Sequence, residues 1–416
     1  MLRLLILTLL SLFLWCLHAE DLKDEVRFKY QYYDDNNRVQ VRTPLVQVQK
    51  TVGKYWGIGA HFTVDGITGA SRTSQYATLD VDAITSASKT ETRRELGIKL
   101  KHHRQNSRIS LSGVKSDEND YSSRSGFINL SQDVFRKNGT LNLNYGFFHD
   151  QFNPDTLSST FTSADNQYSP DASGLFNRGQ KTIHSTSLGY THSLTNRTLA
   201  SLSGSGTWSR GYLGRPYYYV LVEDSENPAN GGTLYLESYP RKRDAYAAVA
   251  SLRQHYPSLI REGSLKLEYR FCWDNWSVYS YTYDALINQY LLQNIYIQLG
   301  YRLYLQDQAS FYRDRYTEQN TTRGNSSFLS YLTVDPRFAD YYSQLIKAKM
   351  VFLFKNFIRP DTKGHPALFP ARFDFEVSRY FRSTSKDAEV RRRRYESYGE
   401  NGLAAWIIRG GLVFYY

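Results

Sequence analysis

The 416-residue chain has little of what usually announces a catalytic function. Its two cysteines are Cys16 and Cys272, and the first sits in an N-terminal apolar segment, so no paired-cysteine redox or zinc motif exists. G-x-S-x-G, H-E-x-x-H and Walker sequences are all absent, which removes the local signatures of nucleophilic, zinc-hydrolytic and P-loop chemistry. Nine histidines are scattered, and the one adjacent pair, His102-His103, falls at an expected turn rather than at ligand spacing. Beyond Glu20 no apolar run reaches the roughly 20 residues of a membrane helix, and mean hydropathy is −0.53, so a helical membrane protein is excluded. The expectation is a non-enzyme. The enzymatic alternative is an outer-membrane hydrolase that assembles Ser and His from separate strands.

What is present starts with Arg3, the apolar run Leu4 to Leu17, and Ala19 just before the acidic stretch Glu20 to Glu25. That order is a secretory signal peptide, with cleavage expected near Ala19 and a single further domain over 20–416. The run is too short for a membrane anchor, and Cys16 lacks the small neighbours of a lipid-attachment site. Removing the signal leaves 50 cationic against 40 acidic side chains, a formal +10, and one thiol, Cys272, which cannot form an intrachain disulfide. Tyrosine dominates the aromatics, 35 Tyr beside 22 Phe, and its ring and hydroxyl suit a membrane interface. For an exported chain the basic excess does not point to nucleic acid.

The decisive pattern is period-two alternation over stretches of about ten residues, the length a tilted strand needs to cross the hydrocarbon layer. Ile295, Ile297, Leu299, Tyr301, Leu303 and Leu305 alternate with Tyr296, Gln298, Gly300, Arg302 and Tyr304. Leu265, Leu267, Tyr269, Phe271 and Trp273 alternate with Lys266, Glu268, Arg270 and Cys272, and Leu96, Ile98 and Leu100 with Glu95, Gly97, Lys99 and Lys101. A soluble sandwich also alternates, but with strands of about 5–6 residues. In lipid an unpaired edge costs several kcal/mol per group, so such a sheet must close, and single-chain bacterial barrels close with an even count. Short turns are expected at Val52-Gly53, His103 to Asn106, Lys137 to Gly139, Thr195 to Arg197 and Pro257 to Glu262. Long polar loops are expected at Asp65 to Thr90, Asp150 to Lys181, Gly211 to Lys242, Arg313 to Ala339 and Ser383 to Asn401. The fold class is therefore all-β, a transmembrane antiparallel up-and-down barrel of about 16 strands, within a range of about 14–18, starting near Glu25 and ending at Tyr416. The last strand presents Trp406, Ile408, Gly410, Leu412, Phe414 and Tyr416 on one face, which looks like the terminal aromatic signal read by outer-membrane assembly machinery.

At these residues the chain resembles the bacterial family of domains of unknown function DUF3570. The resemblance is carried by Val64 to Ser71, Asp117 to Ser122, Gly211 to Tyr217 and Tyr301 to Arg313. It implies an outer-membrane barrel and supplies no catalytic or ligand-binding residues.

Candidate sites are sparse. The pattern D-x-I-T-x-A-S occurs twice, at Asp65 to Ser71 and Asp82 to Ser88, and reads first as two matching capped turns. Asp65 and Asp82, with Asp117, Glu118 and Asp120, could also gather oxygen ligands for calcium, although EF-hand spacing is absent. No other cofactor is expected. Lys99, Lys101, Arg270 and Arg302 are expected to face the lumen, a bias toward anions weakened by Glu95 and Glu268. Arg241 to Arg243 and Arg391 to Arg394 read as solvated loop charge or contacts to lipopolysaccharide. The leading expectation is a porin-like channel for small solutes, with the first long loop folding inward as a constriction. The alternative is a loop-plugged barrel that serves as a scaffold in an envelope assembly.

Overall fold

The computed structural model describes residues 24–36, 39–68, 90–119, 121–152, 179–214, 219–224, 232–257, 260–317, 322–323, 327–328, 331–360, 366–383 and 403–416. Sixteen strands form a closed antiparallel barrel. Its first nine are β1 (Glu25–Asp35), β2 (Gln40–Val52), β3 (Trp56–Thr68), β4 (Thr90–His103), β5 (Ser107–Asp117), β6 (Tyr121–Val134), β7 (Gly139–Phe152), β8 (Gly179–Thr195) and β9 (Thr198–Gly211). Two short loop strands follow, β10 (Tyr219–Glu223) and β11 (Gly232–Leu236). The wall resumes with β12 (Lys242–Tyr256), β13 (Gly263–Asp274), β14 (Tyr279–Leu292) and β15 (Ile295–Gln306). Three more loop strands, β16 (Tyr316–Thr317), β17 (Thr322–Arg323) and β18 (Ser327–Phe328), precede the last wall strands β19 (Tyr341–Pro360), β20 (Pro366–Arg382) and β21 (Ala404–Tyr415). Every wall strand pairs with its sequence neighbour in the wall, and β21 returns to β1, so the expected count of 16 and the up-and-down topology are both found.

The seam is regular. Glu25 pairs with Tyr415 and Asp35 with Ala405, and beyond these pairs Tyr416 N–H donates to Asp24 O (3.1 Å) at one rim and Asn36 N–H to Ala404 O (3.0 Å) at the other. This closure leaves no open edge among the wall strands, as the cost of an unpaired edge in lipid requires.

The alternating pattern becomes two faces. Phe62, Leu96, Ile98, Leu188, Leu202, Leu267, Leu299 and Phe375 stand exposed on the outer face, Ile98 at 61 %. Such a belt of apolar side chains is solvated by lipid, and the chain is a transmembrane barrel. Trp56, Trp273, Trp406, Tyr279 and Tyr416 lie on the same face near strand ends, where ring and polar edge meet the interface.

Connections differ from expectation in two ways. At the end that holds both termini the links are short, as expected, but the turn after β6 centres on Phe135, Arg136 and Lys137, all left-handed (φ 51°, 56° and 71°), two residues earlier than Lys137 to Gly139 suggested. At the opposite end three links are short, 36–39, 118–120 and 275–278, so long and short do not simply alternate.

Candidate functional site in the lumen

Two facing regions of the inner wall are unlike. On β5 to β9 the wall carries Ser110, Ser112, Ser125, Asn129, Asn142, Asn144, Ser185, Ser187, Ser201, Ser203 and Ser205, small neutral groups at alternate positions. They bond sideways along the wall: Asn129 Nδ2 donates to Ser110 Oγ (3.1 Å), Asn144 Nδ2 to Ser187 Oγ (3.0 Å), and Ser201 and Ser251 share a hydrogen bond of 2.7 Å. Charged inward groups on these strands sit toward the strand ends as pairs, Arg108–Asp133 (2.8 Å) and Lys181–Asp150 (2.9 Å). Two larger side chains, Phe127 and Phe148, share these inward rows and meet edge-on at 5.2 Å.

The region built from β19, β20, β21 and β1 to β4 is charged. Arg27 pairs with Glu25 (3.0 Å), while Lys349 (3.0 Å) and Arg372 (3.3 Å) share Asp374. Asp374 can lie across β21 because its neighbour there is Gly411; a Cβ on Gly411 would stand 2.8 Å from Asp374 Oδ1. Lys101 reaches back over β3 to donate to Gln49 Oε1, past the side-chain-less inward positions Gly57 and Gly59. In a ring of sixteen, β9 stands eight strands from β1, so the neutral region faces the charged one.

Over the mouth above β12 to β15, the segments after β9, β13 and β15 fold together into a cap. It starts at Gly211, whose φ of 107° and approach to Gln180 O admit no side chain. Tyr239, Trp276, Val278, Ala309, Tyr312, Phe338 and Ala339 form one buried cluster, with Leu213 and Phe311 packed against it. Val220, Val222, Tyr316 and Leu332 form a second beside the three-stranded sheet β11-β10-β16. Buried carboxylates are answered inside the cap: Glu237 accepts from Thr333 Oγ1, and Asp335 accepts from Arg337 Nη2 (2.6 Å) and Tyr239 OH (3.3 Å). Burial, then the nearby Glu237 and Asp335 carboxylates, pushes the Tyr239 phenol far up.

The seat of the cap is on the lumen side. Arg243, an inward residue of β12, donates through Nε to Asp274 Oδ2 (2.7 Å) and lies over the Trp276 ring at 4.7 Å. Asp274 Oδ1 accepts from the Trp276 and Val278 amides (2.9 Å each). Gln306 Nε2 donates to Arg337 O (2.8 Å) and Ala339 O (2.9 Å). The cap is therefore fastened to inward residues of β12, β13 and β15.

The residues singled out from the sequence are placed as follows. Lys99, Lys101, Arg270 and Arg302 all lie on the inward face. Arg302 bonds Asp284 (2.8 Å) and Arg270 shares Glu268 (3.6 Å) with Lys266 (2.6 Å), whereas Lys99 and Lys101 join the charged region. Cys272 is a free thiol on the inward face of β13. Of the calcium set, Asp65 points inward and is held by Thr43 Oγ1 (2.5 Å) and Arg93 (3.2 Å), while Asp117 is on the outward face, paired with Lys115 (2.7 Å). Glu118 follows it, its amide bonding Tyr121 O (2.7 Å). These described members do not converge, and Asp82 and Asp120 lie outside the described residues. Among the described residues no three His, Cys, Asp or Glu side chains gather as for a metal. The first long loop, 69–89, and Arg391 to Arg394 also lie outside them. Trp406, Ile408, Leu412, Phe414 and Tyr416 occupy the outward face of the closing strand, with Phe414 edge-on to Phe28 (6.5 Å). Sequence reading missed the cap; its signals were the alternation Val220, Val222 inside a segment that read as a polar loop, and Trp276 just past the alternating stretch that ends at Trp273.

A family profile described as protein of unknown function (DUF3570) matches residues 14–358. No curated protein matches the sequence. Among solved structures, a bacterial polysaccharide outer membrane secretin is similar over 95 % of this chain and 100 % of its own, at 7 % identity and a TM-score of 0.47. The outer membrane protein opdK from Pseudomonas aeruginosa is similar over 96 % and 100 %, at 7 % identity and a TM-score of 0.39. The siderophore receptor PirA from Acinetobacter baumannii aligns with 87 % of this chain at 11 % identity and a TM-score of 0.41, and the chain spans only 53 % of that receptor.

Proposed function

The chain belongs to the DUF3570 family of proteins of unknown function, and from that premise we propose that it is an outer-membrane pore through which small polar solutes diffuse. The observation that carries this reading is the neutral inner region on β5 to β9. A barrel whose interior is a packed core fills it with bulky side chains; this one lines five of its sixteen strands mainly with serine and asparagine, several of them bonded sideways along the wall. Such a surface offers hydrogen bonds to water and to hydroxylated solutes without charge. The apolar belt is read as facing outer-membrane lipid, with lipopolysaccharide at the loop end, and the aromatic closing strand as the segment engaged by the assembly machinery. Export by a signal peptide over 1–19 completes the proposal, and no enzymatic step is assigned.

The cap favours a second reading, a loop-plugged barrel that acts as a scaffold, because it is seated on inward residues Arg243, Asp274 and Gln306. Recording single-protein currents in planar bilayers decides between them. Discrete conductance steps are expected for the pore; a purified, heat-modifiable barrel that inserts and never conducts would overturn the pore and leave the scaffold.

A further inference from the structure

We infer that the charged region of the lumen wall, on the lower reaches of β19, β20, β1 and β4, is a binding site for small multivalent oxyanions of the phosphate and polycarboxylate kind. The inference deepens the pore reading by naming a ligand class, and it rests on that reading for access to the site.

The site is built by register. Arg372, Val413, Arg27 and Gln47 stand in one cross-strand row, and Asp374, Gly411, Lys29 and Leu45 in the next. Lys99 faces Gly59, which faces Gln49, which faces Glu25, so glycine in the intervening strand opens the path from the β4 lysines toward β1. Six cations, Arg27, Lys29, Lys99, Lys101, Lys349 and Arg372, meet two acids, Glu25 and Asp374, a formal surplus of four. Lys29 is exposed to the lumen within electrostatic reach of Arg27, Lys349 and Arg372 and of the one acid Asp374, and Lys101 within reach of Lys99 and Arg27 and of the one acid Glu25. Among the described residues no acidic side chain forms an ion pair with Lys29 or Lys99. The acids just above are already engaged, Glu376 by Arg409 (2.7 Å) and Glu95 by His61 (3.2 Å) and Arg93 (3.3 Å), so they do not cancel the surplus.

Two features point to a ligand rather than to structural charge. At Arg108–Asp133, Lys181–Asp150 and Arg302–Asp284 one base meets one acid, whereas here two bases share Asp374 and the neighbouring Lys29 and Lys99 form no ion pair among the described residues. In addition the guanidiniums of Arg27 and Arg372 each keep an Nε–H without an acceptor. Like charges gathered on a wall of reduced dielectric raise the local concentration of counter-ions. One monovalent ion cannot answer a surplus of four, and an oxyanion with two or more charges answers more of it with the same acceptor atoms.

The test is calorimetric titration of the detergent-solubilised full chain with inorganic pyrophosphate, alongside reversal potentials in a potassium chloride gradient. The variant is Lys29→Gln/Lys99→Gln/Lys101→Gln; Lys29 and Lys99 break no ion pair on replacement, and heat-modifiable mobility reports whether the variant folds. Lys115→Gln, on the outer face, is the control. The expected result is saturable pyrophosphate binding by the wild type and the control, weakened about tenfold in the triple variant, with reversal potentials moving from anion-selective toward non-selective. Absence of saturable binding in the wild type, or binding unchanged in a folded triple variant, overturns the inference whatever the conductance. Binding without current would remove the pore and leave the site standing.

Discussion

The wall and the cap use the same side chains in opposite directions. On the wall Ile98, Phe62, Leu202 and Tyr269 point away from the protein, while in the cap Trp276 is 3 % exposed and Tyr316 fully buried. The wall turns its polar residues inward; the cap buries its aromatics. Neither arrangement follows from the residues alone. What differs is the solvent each part meets, hydrocarbon for the wall and water for the cap, and each part turns toward its solvent the groups that solvent accepts. The two regions are therefore held by different forces. Burial of aromatic area stabilises the cap, whereas the wall depends on a closed ladder of hydrogen bonds with nowhere else to go.

The largest effect that separates them is expected from Trp276→Ala. The indole packs against Tyr239 (6.0 Å), Phe311 (5.1 Å) and Phe338 (5.5 Å), sits under the Arg243 guanidinium and donates through Nε1 to Lys242 O (2.8 Å). Emptying that position costs about 3–5 kcal/mol of cap stability. Trypsin is then expected to cut at cap sites such as Arg315 and Arg337, while the barrel keeps its heat-modifiable mobility. Loss of the barrel band together with the cap would break the comparison, because wall and cap would be one cooperative unit. Smaller, and confined to the wall, is Ile98→Arg. A charge in the middle of the lipid-facing stretch costs about 2–4 kcal/mol, read as a lowered urea midpoint for unfolding from lipid vesicles, with cap proteolysis unchanged. An unaltered midpoint would mean that lipid does not cover Ile98.

The wall was legible in the sequence because a membrane strand is long and its two faces see opposite media. Ten residues of strict alternation, as in Ile295 to Leu305, leave few other folds, and the turn residues at Val52-Gly53 and Thr195 to Arg197 mark where the strands reverse. Closure followed from the edge penalty and needed no distant pattern. The cap was not legible for the converse reason. Its core joins Tyr239, Trp276, Ala309 and Phe338 across three loops, whose apolar residues are dispersed among polar ones. No local period records such a contact. The inward lysines lie between these cases: alternation assigned Lys99 and Lys101 to the polar face, but only the cross-strand register brings them toward Arg27 and separates them from the ion pairs of Arg270 and Arg302.

The finest distinction between the two regions is in their response to alkali. Tyr316 OH donates to Phe311 O (2.9 Å) and accepts from the Thr333 amide (3.0 Å), in a site with no access to solvent. Burial pushes this phenol up to about 12, with the Thr333 backbone and Arg313 opposing and Glu237 adding to the rise. The folded cap thus prefers the protonated phenol, and the unfolded cap releases its proton nearer 10. The corresponding stability is complete below about pH 10, declines as pH rises, and is gone once pH passes the folded value near 12, a loss on the order of 2 kcal/mol. Tyr239 is held higher still and does not ionise in this window while the cap is closed. Between pH 10 and 12 the aromatic circular dichroism of the cap is expected to fade in the wild type and to persist in Tyr316→Phe, which keeps the ring and has no proton to lose. The barrel's far-ultraviolet signal is expected to stay constant in both, since the wall's ladder is made of backbone amides and carbonyls, which do not ionise. Equal fading in the two proteins would show that the cap is opened by some group other than Tyr316, and fading of the strand signal alongside it would erase the separation between cap and wall.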